Sequence, residues 1–126
     1  MSLEINIQEL PEYIRVEVSG SRTRGKEMEE AVDLWKQVVE VCQASGRDRI
    51  LFITMATGRI PTLEAYEVAG HPEDFGWSRG YKMALVDLNP ESLEDNQFAG
   101  TVAVNRGFNV KIFDNEKEGE IWLLVT

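Results

Sequence analysis

The sequence has one cysteine and one histidine, and this scarcity excludes several kinds of site. A single cysteine, Cys42, cannot form a disulfide within the chain, so we expect a cytoplasmic protein. A serine–histidine or cysteine–histidine catalytic pair would depend on His71 alone, and so would a metal site with a histidine ligand. We therefore predict that the chain is not an enzyme and that it holds no metal and no cofactor.

Positive charge is also scarce. Lys and Arg number 13 against 22 Asp and Glu, which gives a net charge of -9. Because such a chain repels phosphate backbones and anionic headgroups, we expect it to bind neither nucleic acid nor a membrane surface. Its apolar runs are far shorter than the roughly 20 residues that cross a bilayer. The start, MSLEINIQEL, lacks the basic and apolar regions of a signal peptide. The length of 126 residues predicts a single domain, residues 1–126.

Two segments near the start alternate apolar and polar residues. Residues 3–8 and 14–18 have the period-two pattern of half-buried strands, and we predict that they form an antiparallel hairpin. Residues 27–44 have the apolar spacing of an amphipathic helix, which Gly46 would end in the left-handed conformation. We expect the helix to bury Val32, Trp35, Val39 and Cys42.

The rest of the chain alternates short apolar runs with helix signals. Residues 50–53 and 83–86 are continuous apolar runs, which is typical of strands covered on both faces, and we predict a third core strand at residues 110–113. Prolines or capping side chains mark the helix starts, at Pro61, at Asn89 with Pro90, and at Asn115 with Glu118. We read residues 70–80 as an irregular loop. The pattern predicts an α/β fold with a mixed sheet of about five strands and helices on both faces or mainly one.

The loop after the hairpin resembles part of a phosphate-binding loop. Residues 20–26 read G-S-R-T-R-G-K, the first seven positions of the P-loop pattern. The eighth position requires a Ser or Thr that ligates magnesium, and Glu27 stands there instead. A carboxylate at this position repels phosphate, so we predict a solvated turn that binds neither ATP nor GTP.

Several further residues have ordinary structural interpretations. Asp87 and Asp114 directly follow predicted strands, where open α/β sheets tend to bind ligands, but both also suit turns or caps. Three aromatic residues fall outside the core patterns, and we expect them to be exposed: Tyr13, Phe75 and Trp77. Because exposed aromatics are common at interfaces, they predict a homodimer.

The last third of the chain, residues 98–126, resembles a bacterial family. An alanine- and valine-rich helix is followed by a strand and a final helix, and the motif residues are Asn105, Arg106 and Gly107, then Phe113 and Asp114, then Trp122 and Leu123. This pattern is similar to that of the SpoIIAA-like group, which is related to the STAS domains of anti-sigma-factor antagonists. The resemblance implies a STAS-like fold and a non-enzymatic regulatory role in binding a protein partner.

The resemblance also implies a position for phosphorylation. In anti-sigma-factor antagonists, a partner kinase phosphorylates a Ser or Thr at the start of the helix after the central strand, usually within Asp-Ser-Ser-Gly. Thr57 occupies that place here, with Thr54 and Met55 rather than an aspartate before it. A hydroxyl at a helix start also has an ordinary role, since it accepts backbone N–H bonds as a cap.

We expect the binding face to lie at the carboxyl end of the central strand, around Thr57, Gly58, Arg59 and Pro61. Gly58 would allow a partner close to the backbone, and Arg59 would attract an anionic group. Two functions remain open. The first is protein docking on this face. The second is capture of a small apolar or lipid-like ligand beneath a lid formed by the loop at residues 70–80, with the aromatic residues Phe75, Trp77 and Tyr81. A flat, exposed face around Thr57 favours the first, and an enlarged apolar pocket favours the second.

Overall fold

A mixed five-stranded sheet organises the fold. The computed structural model describes residues 2–59 and 62–125, except for the side chains of residues 62–64 and 66. The strands are β1 (Leu3–Glu9), β2 (Ile14–Gly20), β3 (Arg49–Thr54), β4 (Lys82–Asp87) and β5 (Asn109–Phe113). The helices are α1 (Glu27–Ser45), α2 (Thr62–Gly70), α3 (Pro90–Asn105) and α4 (Glu116–Leu124), with a 3-10 turn at Pro72–Phe75. The predicted α/β class and number of strands are therefore confirmed.

The strands lie in chain order, β1-β2-β3-β4-β5. The β1–β2 pair is antiparallel, with Ile5 opposite Val18, and the other three pairs are parallel. Parallel strands joined through a helix are almost always connected with right-handed geometry. Since each connection advances the sheet in the same direction, α1, α2 and α3 all lie on one face. The predicted hairpin is confirmed.

The two faces of the sheet are covered differently, which explains the sequence patterns. On the face of α1 and α3, the core includes Ile14, Val38 and Phe52. On the other face, α4 covers β3, β4 and β5 with Leu123, which is fully buried. β3 and β4 are therefore covered on both faces and read as continuous apolar runs. The polar residues of β1 face solvent, so this strand alternates.

Helix α1 matches its prediction in extent and differs in which side chains it buries. It spans Glu27–Ser45 and ends at Gly46, whose φ is +74° and whose N–H bonds the carbonyl of Cys42. Its buried side chains are Leu34, Val38, Val39 and Cys42, whereas Val32 and Trp35 are half-buried. Leu34 was not predicted. It belongs with Val38 and Cys42 to a stripe with a spacing of four residues, which lies along the helix side turned to the sheet.

The two helices that follow β4 and β5 have the N-terminal caps that the sequence predicts. The side chain of Asn89 accepts a hydrogen bond from the N–H of Glu91, and that of Asn115 accepts one from the N–H of Glu118. These caps satisfy N–H groups that have no partner within their own helix. The expected helix start at Pro61 lies outside the described residues.

The prediction that three aromatic residues are exposed is wrong. Tyr13 is 7% exposed and Trp77 5% exposed, while Phe75 is half-buried. Tyr13 lies beneath α4 and donates a 2.6 Å hydrogen bond to Glu120. Trp77 follows the 3-10 turn and packs edge-on against Trp35, with ring centroids 5.6 Å apart. The homodimer stays a prediction without this support, and light scattering that gave the monomer mass of 14.3 kDa would contradict it.

Candidate functional site

The sequence-predicted site lies at the carboxyl edge of the parallel strands. β2, β3 and β4 all end there, and the loops at residues 21–26, 55–59 and 88–89 follow them. Open α/β sheets bind ligands outside this edge because the loops can vary while the strand ends hold them in place. Thr57, Gly58 and Arg59 are all exposed there. Pro61 lies outside the described residues.

Thr57 extends the sheet instead of capping a helix. Its N–H bonds the carbonyl of Gly20 at 2.9 Å, and its carbonyl accepts the N–H of Arg22 at 3.0 Å. Its hydroxyl lies 2.6 Å from the hydroxyl of Ser21. α2 begins five positions later, at Thr62, so the expectation that Thr57 sits at a helix start and caps it is wrong. The hydroxyl remains on the surface, held beside Ser21.

Gly58 is required by a close approach within the chain. Its φ is +86°, and a Cβ built on it would lie 3.3 Å from the Cβ of Arg22. The Arg22 guanidinium donates a 2.7 Å hydrogen bond from Nη1 to the Gly58 carbonyl. A left-handed backbone with a neighbour this close favours glycine. Arg22, which the sequence prediction placed in a solvated turn, therefore holds the predicted binding loop.

Arg59 is already engaged by a carboxylate of the same chain. Its Nε and Nη2 donate to the two carboxylate oxygens of Asp95, each at 2.8 Å. This paired geometry raises the pKa of Arg59, first through the hydrogen bonds and then through the charge of Asp95. The pair ties residues 55–59 to α3, and an anionic partner would have to compete with Asp95 for the guanidinium.

A buried carboxylate organises the loop after β4. Asp87 is 2% exposed and accepts hydrogen bonds from the N–H of Asn89, the hydroxyl of Ser92 and the amide of Asn96, at 2.9, 2.7 and 2.6 Å. Asn89 in turn donates to the carbonyl of Ala56 at 3.2 Å. This network agrees with the turn role predicted for Asp87. It also fixes the loops after β3 and β4 relative to each other.

The P-loop-like segment donates hydrogen bonds to carboxylates of the same chain. The Gly25 N–H, which would face a phosphate in a P-loop, donates to Glu27 Oε1 at 2.8 Å. Thr23 donates both its N–H and its hydroxyl to the carboxylate of Glu30, at 2.7 and 2.8 Å. Because two carboxylates of α1 already take these donors, the geometry agrees with the expectation of no nucleotide binding.

Two apolar side chains are exposed at the same edge and were not predicted. Met55 is 46% exposed and Leu88 is 45% exposed. They directly follow Thr54 and Asp87, which are paired across β3 and β4, so they lie next to each other. The sequence signal was available, since each is an apolar residue placed just beyond the end of a buried strand.

A cavity of about 150 Å³ lies between the sheet and the helices α1, α2 and α3. Trp35, Phe52 and Trp77 form its aromatic wall, and several small residues leave the space open: Ala31, Ala65, Ala69, Ala99 and Ala103. The small side chains of these helix residues therefore leave this volume unfilled.

The cavity has a polar end beneath the predicted binding loop. Arg22, Thr54, Asp95 and Asn96 line it there. Burial lowers the pKa of Arg22, and the charges of nearby carboxylates, Asp87 first among them, act in the opposite direction. Arg22 and Asp95 thus line the cavity, and they also form the hydrogen bonds to residues 58 and 59 of the predicted binding loop.

The other candidate residues have structural surroundings. Cys42 is 2% exposed, and burial raises the pKa of its thiol to about 11, so it is a poor nucleophile at neutral pH. In the described part of the chain, no group of three or more His, Cys, Asp or Glu side chains could hold a metal. Phe75 and Trp77 line the cavity, and Tyr81 packs edge-on against Trp77 with ring centroids 5.3 Å apart.

The fold matches that of a solved regulatory protein. A crystal structure of an anti-sigma factor antagonist from Mycobacterium paratuberculosis aligns with 97% of this chain and 94% of its own, with a TM-score of 0.60 and 10% sequence identity. At this identity the similarity shows the fold alone. No protein-family model matches the sequence, and no curated protein sequence matches it. The fold implied by the resemblance is confirmed. Among the described residues, no helix is long and apolar enough to span a bilayer.

Proposed function

We propose, from the fold shared with an anti-sigma factor antagonist, that this chain is a non-enzymatic regulatory domain that docks a protein partner at the carboxyl edge of its sheet. The observation that carries the proposal is the exposed apolar pair, Met55 and Leu88, beside Thr57. Isolated exposed apolar residues are common, but an adjacent pair set by strand pairing offers a partner a continuous apolar contact.

Charge at this edge indicates the chemistry of the partner. Arg24 and Lys26 are exposed on the loop after β2, which Ser21 joins to Thr57 through a β-bridge. In a chain of net charge -9, this loop is a local positive surface next to an apolar pair. It suits an acidic protein segment that carries an apolar side chain. Thr57 is accessible there, and a phosphate on its hydroxyl would repel such a segment.

The test locates the partner and then measures its affinity. A photo-crosslinking residue at Met55 should capture a partner that the same residue at Ile121 does not, since Ile121 is equally apolar and exposed (57%) but lies on α4. With the captured protein purified, Met55→Ala and Thr57→Glu should each weaken binding by roughly tenfold. Ile121→Ala should leave the affinity unchanged.

The docking proposal has a clear contrary result. If Met55→Ala, Thr57→Glu and Arg59→Ala all preserve the affinity in folded protein, this edge is not the docking face. A loss of affinity in Ile121→Ala would instead place the partner on α4.

We propose small-ligand binding as the second candidate function, and the cavity is the observation that favours it. Its aromatic wall includes Phe75 and Trp77 of the segment expected to act as a lid. Its size restricts the candidate, because a cavity of about 150 Å³ matches one aromatic ring and not a whole lipid. Binding of a single-ring compound, detected by NMR, would support this function, and failure of every such compound to bind would overturn it.

A further inference from the structure

The polar end of the cavity contains unused hydrogen-bond donors. A guanidinium carries five N–H groups. Arg22 uses one of them, to the Gly58 carbonyl, in the hydrogen bonds of the described residues. The Arg22 side chain is half-buried and lines the apolar space. Because hydrogen bonds from a charged donor are stronger than neutral ones, an acceptor oxygen placed at this end would be stabilised.

The charges around that end are net negative. Arg22 and Arg59 face Asp87 and Asp95, and the carboxylates of Glu30 and Glu27 also act on Arg22. An anionic ligand would gain Arg22 but would meet these carboxylates in a partly desolvated site. A cationic ligand would meet the guanidinium of Arg22 itself. Burial of either charge carries a large desolvation cost, so the site favours an uncharged ligand.

Part of the cavity wall is aromatic. Trp35 lies over Phe52 with ring centroids 4.6 Å apart, and Trp77 meets Trp35 edge-on. Such rings prefer offset or edge-to-face contact with a further ring. The volume of about 150 Å³ is that of cavities known to accept a benzene-sized molecule.

From these three observations we propose that the cavity binds an uncharged, single-ring aromatic molecule with one acceptor oxygen, which receives a hydrogen bond from the Arg22 guanidinium. The inference rests on the second candidate function and specifies the chemical class of its ligand. The ring lies against Trp35 and Trp77, and the oxygen is directed to the carboxyl edge of the sheet.

Three probes of similar size separate the contributions of ring, acceptor and charge: acetophenone, ethylbenzene and benzoate. Each is titrated into the ¹⁵N-labelled full chain and followed by NMR. The three tryptophans provide an internal control, since Trp35 and Trp77 line the cavity and Trp122 packs against Phe113 on the other face of the sheet. The indole N–H signals of Trp35 and Trp77 should shift with acetophenone, and the signal of Trp122 should not.

Variants assign the binding to Arg22 and to the cavity. Arg22→Met should weaken acetophenone binding by roughly tenfold, the value of one hydrogen bond to a charged group, and leave ethylbenzene binding unchanged. Unchanged ethylbenzene binding also shows that the cavity of this variant is intact. Ala99→Leu should abolish binding of both probes by filling the space. Ala44→Leu is the matched control at an exposed position of α1, and it should bind like the wild type.

The outcomes distinguish this inference from the proposed functions. Equal affinity for ethylbenzene and acetophenone would overturn the role of Arg22, and the cavity would then be a ligand site of purely apolar character. Tightest binding of benzoate would overturn the uncharged class. If no probe shifts Trp35 or Trp77, both the inference and the second candidate function fail, and the docking proposal is unaffected.

Discussion

Replacing Ala99 by leucine should stabilise the protein, because Ala99 faces the cavity of about 150 Å³. Burial of the added isopropyl group can stabilise the fold by about 2 kcal/mol, at roughly 0.8 kcal/mol per methylene. Imperfect fit in a packed interior costs about 1 kcal/mol and offsets part of this stabilisation. We therefore expect a gain of about 1 kcal/mol in the free energy of unfolding and a rise of about 4 °C in Tm.

The neighbouring position provides the sharpest comparison. A Cβ on Gly100 would lie 2.8 Å from Cγ1 and 3.1 Å from Cδ1 of Ile112, so Gly100→Ala must displace that side chain. Alanine is the better helix former by about 1 kcal/mol, and overpacking costs about 1–3 kcal/mol. Gly100→Ala should therefore be neutral to destabilising. The two adjacent substitutions thus test whether free space lies beside Ala99 and close packing beside Gly100.

Urea and thermal unfolding measure both effects, with Ala44→Leu as the control for a leucine added to an exposed helix position. That control should change the free energy of unfolding by less than about 0.5 kcal/mol. A loss of more than about 1 kcal/mol in Ala99→Leu, with the control unaffected, would refute the reasoning, since it would mean that no free space lies beside Ala99.

The remaining predictions concern pH, the buried carboxylate and nucleotides. The pKa of Cys42 is raised to about 11 in the fold from an ordinary value near 9, so the unfolded chain loses this proton first. Stability from this group is complete below about pH 9 and is lost toward pH 11, and urea unfolding of Cys42→Ala should show a weaker decline over that range. Asp87→Ala should cost about 2–4 kcal/mol in urea unfolding because three donors lose their buried acceptor, namely the Asn89 N–H, the Ser92 hydroxyl and the Asn96 amide, and a loss below about 1 kcal/mol would contradict the network. Calorimetry should detect no binding of ATP or GTP, because the Glu27 carboxylate already accepts the hydrogen bond of the Gly25 N–H. A micromolar affinity that vanishes in Lys26→Ala would show the opposite.

The fold was predictable because its local patterns and its global packing agree. β1 has one solvent-facing side and alternates, whereas β3 lies under helices on both faces and does not. The caps at Asn89 and Asn115 are local chemistry, so the sequence marks them directly. The start of α2 was harder, since Thr57 and Thr62 both offer a hydroxyl near a proline and only the pairing of Thr57 with Ser21 distinguishes them.

The buried aromatics show where local reasoning stops. Tyr13 and Trp77 lie outside any periodic segment, so nothing near them in the chain indicates burial. Tyr13 is covered by α4, and its hydrogen-bond partner Glu120 is 107 positions away. Trp77 is buried by contact with Trp35 of α1. Contacts of this kind depend on which helix covers which face of the sheet. The order of the strands in the sheet determines that arrangement.

The cavity was not predictable for a related reason. Its volume is the space left between side chains from all five strands and from α1, α2 and α3, and no single stretch of sequence shows how large that space is. One local signal existed, the run of small residues in α3 at Ala99, Gly100 and Ala103. Such a run also occurs where helices pack closely, as Gly100 does against Ile112, so the signal alone could not separate close packing from empty space.

Arg22 connects the two proposed functions through one side chain. Its guanidinium lines the cavity, and it also holds the carbonyl of Gly58, next to Thr57 on the docking edge. A ligand oxygen that draws the guanidinium inward would weaken its bond to Gly58, and a partner that orders this loop would fix Arg22 in place. By thermodynamic linkage, each would then change the affinity for the other by the same factor. We therefore expect acetophenone, at concentrations that saturate the cavity, to change the affinity of the captured partner. In Arg22→Met the coupling should disappear, as measured by calorimetry with and without the probe. Equal coupling in the wild type and in this variant would show that the two sites communicate by another route.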